Sequence, residues 1–401
     1  MKRLIMVVLV ISVAIAVPAV LCGQDVGGDT SPHTTQFVSV DTLVNLEVLD
    51  WGGSGQPIVL LAGRGNTAHV FDDFAPKLAS HYRVFGITRR GFGNSTYTTQ
   101  GFLADNLGDD VLAVLDSLGI NQPVIIGHSI AGQELSSIGS RSPERVAGLV
   151  YLDAGFHFAF YDPDLGRAPS FFRDTQRKLA QLSDRSLGMP LSERAALIQE
   201  LLDRLPIIER DLRAYQADIA AVEDQSLVLP RPDPDPVRRA LADGQQIYRS
   251  IEAPVLAVFA HPPEYPASRT DSTSRAEYDS LAAVIRLPGI EAFQRGIPSS
   301  RVVKIPHANH YVFRSHEEEV LQEIHAFIRE LSSVVSSTAV CGEDGKPIYI
   351  VNDTQATCRS VMAIPRDRIA SVDVLKDDAA EQRYPGGSET GVIVIKTKSP
   401  Q

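Results

Sequence analysis

Val124-Ile125-Ile126-Gly127-His128-Ser129-Ile130-Ala131-Gly132 is the stretch that decides how this chain folds. Three branched apolar residues after Pro123 read as a buried strand, and helical spacing begins directly after Ser129. A serine with glycine two places before it and alanine two places after fits a sharp, strained strand-to-helix turn. Such a turn lifts the hydroxyl above the sheet, and neighbouring backbones then approach so closely that only small residues fit on either side. The N–H of Ile130 would lie at a helix N-terminus, where the partial positive charge favours an anion. Ser129 is thus a candidate nucleophile and Ile130 a candidate oxyanion donor.

Outward from this turn the pattern alternates strands and helices. Phe37-Val38-Ser39-Val40 and Leu46-Glu47-Val48-Leu49 read as early strands, followed by the turn-forming Asp50-Trp51-Gly52-Gly53-Ser54-Gly55. Pro57 to Leu61, Val84 to Ile87 and Leu149 to Leu152 are continuously apolar, as strands of a parallel sheet covered on both faces are. Phe102 to Leu118 carries Leu107, Val111, Leu112, Leu115 and Leu118 at helical spacing and stops at Gly119. The expected fold class is α/β, a doubly wound, mostly parallel sheet. Residues 156–250 interrupt that rhythm with polar helical sequence, clearest at Glu193 to Leu202, and are expected to form a helical cap over the sheet edge. Sheet rhythm returns at Pro254 to Phe259 and Arg301 to Ile305, and an amphipathic helix is expected over Glu317 to Leu331.

At this point the sequence resembles the α/β-hydrolase superfamily over about residues 37–331, and the hydrolase domain is expected to span 36–331. Leu60-Leu61-Ala62-Gly63-Arg64-Gly65 resembles the family's oxyanion loop, which implies that the Arg64 N–H is the second oxyanion donor. Arg89-Arg90-Gly91-Phe92-Gly93-Asn94-Ser95 is similar to the family's Arg-Gly-x-Gly-x-Ser turn. Pro306-His307-Ala308-Asn309-His310, with a helix to follow, matches the loop that carries the catalytic histidine, and so implies His310 as general base. Ala62, Ala131 and Asn309 depart from the common family residues. The first two departures are tolerable because the oxyanion donors are backbone groups and alanine is still small. Family members usually carry the acid after the strand that here ends at Phe259, but the chain continues Ala260-His261-Pro262-Pro263-Glu264. The acid is expected to be Asp153, directly after Tyr151-Leu152, with Glu264 as the alternative. The resemblance implies hydrolysis of an ester, thioester or amide of a small, fairly apolar acyl substrate through an acyl-enzyme on Ser129. No cofactor or metal is called for. Of the other histidines, His128 is expected to pack beneath the sheet edge, His69 to cap or line the pocket, and His307 to lie outside the chemistry.

Beyond Ser332 to Ser337, read as a linker, residues 338–401 have their own pattern. Strands are expected at Pro347 to Val351, Ser371 to Leu375 and Gly391 to Lys396, making a small C-terminal α+β module. The run from Ile364-Pro365-Arg366 through Val374-Leu375-Lys376-Asp377-Asp378, with Tyr384-Pro385-Gly386-Gly387 and Gly391-Val392-Ile393-Val394-Ile395-Lys396-Thr397-Lys398, resembles the plug domain of TonB-dependent outer-membrane receptors. That resemblance implies a periplasmic address and either a cell-envelope protein partner docking through 338–401 or a stabilising appendage.

Composition narrows the class. The 401 residues are 44% hydrophobic and carry a formal net charge of −11, which argues against nucleic acid as a partner. Lys2 and Arg3, the apolar Leu4 to Val17, Pro18 and the small residues after it read as a signal peptide over 1–22, so the chain is expected to be secreted or periplasmic. An uncleaved anchor, or a lipid on Cys22, would export it equally. Cys341 and Cys358 then remain, either as a disulfide or as separate thiols. Two further readings stay open. The same scaffold serves lyases, acyl transferases and ligand sensors, and the chain could act chiefly as a cell-envelope interaction factor through its C-terminal module.

Overall fold

The computed structural model describes residues 31–155, 159–165, 169–184, 188–220, 233–267, 270–338, 348–356, 360–361, 364, 369–375, 384 and 391–397. The expected signal peptide, Cys341 and Cys358 lie outside these residues. The chain divides into two compact units, Met1–Ile324 and His325–Gln401.

The first unit is built on an eight-stranded sheet. Its strands are β1 (Thr34–Asp41), β2 (Val44–Gly52), β3 (Pro57–Leu61), β4 (Arg83–Ile87), β5 (Val124–His128), β6 (Gly148–Leu152), β7 (Val255–Ala260) and β8 (Ser300–Ile305). They lie in the order β1-β2-β4-β3-β5-β6-β7-β8. β2 runs antiparallel to β1 and β4, whereas β4, β3, β5, β6, β7 and β8 are parallel to one another. Every residue of β5, β6 and β7 is buried, which is why these segments read as unbroken apolar runs rather than alternating ones.

The α-helices are α1 (Ala75–Ala79), α2 (Ala104–Leu118), α3 (Gly132–Arg141), α4 (Pro169–Ser183), α5 (Leu191–Ala220), α6 (Pro236–Asp243), α7 (Ser272–Gly296), α8 (Val312–Ser315) and α9 (Glu317–Thr338), the last beginning in the first unit and ending in the second. α2 turns Leu107, Val111, Val114 and Leu115 inward, each contributing about 1.5–3 kcal/mol by burial. It stops where Gly119 takes up φ 63°, a left-handed cap that glycine adopts without steric cost. α6 starts because the Asp235 carboxylate accepts the N–H groups of Val237 and Arg238 at 2.8 and 3.0 Å. α4, α5 and α6 fill the span expected for the cap, between β6 and β7. α9 takes in Ser332–Ser337, the stretch read as a linker. Serine costs a helix only a few tenths of a kcal/mol per residue relative to alanine, too little to stop one already running.

The second unit contains a four-stranded sheet of β9 (Ile348–Val351), β10 (Thr354–Ala356), β11 (Ile369–Leu375) and β12 (Val392–Thr397), ordered β10-β9-β12-β11. β12 pairs in parallel with β9, and the other two pairings are antiparallel. The three expected strands are present. β10 is added by a two-residue hairpin in which Asn352 and Asp353 take φ 49° and 66°, the left-handed values such tight turns require. Ile350, Val392 and Val394 form its small core.

Candidate active site

β5 delivers Ser129 to the end of the sheet with φ 55°, a left-handed conformation that a non-glycine residue holds only at a cost. The residue choices around it follow from spacing. A Cβ on Gly127 would sit 2.9 Å from Leu135 Cδ1 and 3.1 Å from Ala131 Cβ, so the turn closes only with glycine there and a small residue at 131. A Cβ on Gly132 would lie 2.2 Å from the Ala154 carbonyl, so this glycine lets α3 start tight against the end of β6.

Ser129 Oγ donates to His310 Nε2 at 2.8 Å, and His310 Nδ1 donates to Asp153 Oδ2 at 2.7 Å. The acceptor-only carboxylate fixes the tautomer, so that Nε2 is the ring's accepting nitrogen towards Ser129. Asp153 follows β6 directly and is fully buried. Its other oxygen, Oδ1, accepts the Ala260 N–H at 3.1 Å and Arg286 Nη2, from α7, at 2.8 Å. Burial pushes the Asp153 carboxyl up. The Arg286 charge, the His310 bond and the Ala260 N–H outweigh it and hold the group below the ordinary carboxylate value. Glu264, the other carboxylate left open by the sequence, is exposed, and its backbone N–H donates to the Ala308 carbonyl.

The loop after β3 passes against the serine. A Cβ on Gly63 would stand 3.2 Å from Ser129 Cβ and 2.8 Å from His128 Nδ1, which brings the backbone beside Arg64 close to the hydroxyl. Arg89 clamps this loop: Nη2 donates to the Ala62 carbonyl at 2.9 Å and Nε to Glu134 Oε1, on α3, at 2.5 Å. Both partners are buried, so the Arg89–Glu134 pair ties the loop to the helix that follows Ser129. Ile130 packs with Phe102, Leu107, Val237 and Leu241 in a buried apolar cluster, which ties α6 of the cap to the residue after the serine.

The remaining histidines are separated by their partners. His69 Nδ1 donates to Asp72 Oδ2 at 3.0 Å, and His307 takes φ 60° with its ring 4.5 Å from that of Tyr265. His128 does more than the sequence suggested. It is buried, its ring lies 4.6 Å from that of His310, and its Nε2 donates to the His310 carbonyl at 2.9 Å. Burial and the neighbouring imidazole push it down to about 3, so it stays neutral through the physiological range. Because the unfolded value is near 6.5, stability from neutral His128 is complete above pH 6.5 and is lost as pH falls towards 3. His128→Gln is expected to flatten the fall in unfolding free energy across that window by up to about 1.4 kcal/mol per pH unit, read by urea unfolding at several pH values. An unchanged slope would contradict a buried neutral His128.

Among the described residues no cluster of three or more His, Cys, Asp or Glu is placed to hold a metal ion, and no helix is long and apolar enough to cross a membrane.

The sheet order and this geometry define the class of protein, and the chain belongs to the alpha/beta hydrolase family, whose model matches residues 58–323. A pimeloyl-[acyl-carrier protein] methyl ester esterase of Aeromonas hydrophila subsp. hydrophila is 26% identical over 277 residues, covering 69% of this chain and 96% of that protein. A protein of Mycobacterium phage D29, named as a non-heme haloperoxidase, is 33% identical over 103 residues, 25% of this chain and only 37% of that protein's length. A solved hydrolase from Pseudomonas aeruginosa PA01 superposes with TM-score 0.44 at 21% identity, covering 74% of this chain and 98% of that one. Family and relatives assign the chain a general hydrolase function. The family match ends at residue 323 and does not extend to the C-terminal sheet.

Proposed function

We propose that this hydrolase is a serine hydrolase that cleaves an ester, thioester or amide of a small, fairly apolar acyl group. The observation that carries the reading is the unbroken chain Ser129 Oγ to His310 Nε2 at 2.8 Å and His310 Nδ1 to Asp153 Oδ2 at 2.7 Å. Oγ attacks the acyl carbon while its proton passes to His310 Nε2. The carbonyl oxygen becomes an oxyanion held by the N–H groups of Arg64 and Ile130. The leaving group departs with the His310 proton, and an ester bond to Ser129 remains. Water then loses a proton to His310, attacks that ester, and the acid leaves as Ser129 is reprotonated. The preference for an apolar acyl group draws on the apolar cluster of Phe102, Ile130, Val237 and Leu241 next to Ser129 in the chain.

The leader over 1–22 supports export to the periplasm or beyond, and the plug-like sequence over 338–401 supports a docking role in the cell envelope. The exposure of Val372 and Val374 on β11 agrees with a docking face.

A fluorophosphonate probe is expected to label the protein on the peptide carrying Ser129, alongside hydrolysis of p-nitrophenyl esters of short acyl chains. A protein that stays unlabelled and hydrolyses no member of an acetyl-to-octanoyl series would overturn the reading.

A further inference from the structure

The geometry points to Arg286 as a positioning residue that holds Asp153 ionised and oriented and keeps His310 in its neutral, proton-accepting form at lower pH. The inference rests on the proposed Ser129–His310–Asp153 reading and adds a fourth member to it. Asp153 lies after β6 and not after β7, and what reaches it from the β7 side is the Ala260 N–H and the Arg286 guanidinium. Both bind Oδ1 and leave Oδ2 to His310. A fully buried carboxylate with only a histidine for company would be expensive to keep charged. The guanidinium, itself 18% exposed at the side chain, supplies a permanent counter-charge and a fixed donor direction from α7.

The same charge acts on the proton equilibrium of the Asp153–His310 pair. With Arg286 present, the neutral-histidine state of the site carries no net charge, and protonation of the pair makes it +1. With Arg286 replaced by a neutral residue, the starting state is −1 and protonation neutralises it. Proton uptake is then easier, whichever member of the pair is said to bind the proton. Other groups face the site. His128 on β5 lies beside His310 and stays neutral. His261, after β7, feels Arg286, Lys304 and Asp279 and is held down by burial and those cations. Tyr311 follows His310 with its ring 5.8 Å away, and Arg314 on α8 acts on His128. Among the described residues, Arg286 is the one permanently cationic side chain hydrogen-bonded to Asp153. At the imidazole, beyond the carboxylate that lies between them, a unit charge on the order of 6–10 Å away across an effective permittivity of about 20 moves a proton equilibrium by about one to two pH units.

The test reads the His310 imidazole directly, by NMR titration of histidine-labelled full-length protein, with His310→Gln to assign the signal. Arg286→Gln is expected to raise the His310 midpoint by about one unit or more, and Arg286→Lys to leave it within about half a unit of wild type. Where an ester is turned over, the acid limb of its kcat/KM profile moves upward by the same amount. Arg286→Met, which keeps packing volume, carries the comparison should the glutamine variant fail to fold. A midpoint unmoved in both neutral variants overturns the role, even if either variant lowers stability or kcat. The titration stands apart from turnover, so an inactive wild type would sink the hydrolase reading without deciding this one.

Discussion

Ser129→Ala is expected to lower kcat by about 10⁴–10⁶ on any ester the wild type hydrolyses. The Ser129 hydroxyl is bonded to His310 Nε2 at 2.8 Å, on a turn that follows a fully buried strand. On the proposed mechanism, covalent catalysis ends with the loss of Oγ, and what remains is the contribution of the proposed oxyanion donors and of binding. Stability should barely respond. Alanine keeps the Cβ in the left-handed backbone and gives up one hydrogen bond to an exposed imidazole, a net change of about 0.5–1.5 kcal/mol at most. Burst kinetics with a p-nitrophenyl ester, paired with a thermal melt, measure both. A variant that retains wild-type turnover would remove Ser129 from the mechanism.

The second large effect falls on the acid. Asp153→Asn should cost about 10⁴ in kcat, because an amide facing Nδ1 favours the wrong tautomer and no longer supports an imidazolium. Unlike the serine change, it should also destabilise the fold. Arg286 would keep its charge while losing its counter-ion, and breaking one side of a buried ion pair costs roughly 3–5 kcal/mol. A melt lowered by several degrees beside a lost kcat is the expected signature. Glu264→Gln serves as the control, and activity lost there but kept in Asp153→Asn would reverse the assignment of the acid.

These outcomes bear on what the sequence could disclose. The turn at Ser129 was legible because its requirements are local: small residues at 127 and 131 answer contacts made within a few positions. His310 was legible as a loop between a strand and a helix. The pattern favours Asp153 without deciding it, because Asp153 and Glu264 both follow apolar strands; the order β6-β7-β8 sets the end of β6 within reach of the loop after β8 that carries His310. Arg286 left no trace. α7 carries Pro288 and Gly289 within it and little apolar periodicity, so neither the helix nor its inward arginine stands out in the sequence. His128 was placed correctly as a packed residue, but its bond to the His310 carbonyl depends on a contact across 182 positions. The β9–β10 hairpin escaped notice because β10 is only three residues long and polar at its start.

Ser129, Asp153 and His307 end or follow β5, β6 and β8 with φ of 55°, 45° and 60°, three non-glycine residues in left-handed backbone along one rim of the sheet. Each such residue costs of order 1 kcal/mol that glycine would not. Evolution under heat alone would therefore drift these strand ends towards glycine and erase the hydroxyl and the carboxylate together. A thermostable descendant of this chain that has kept both must have recovered its stability away from that rim, in the helices and the cap.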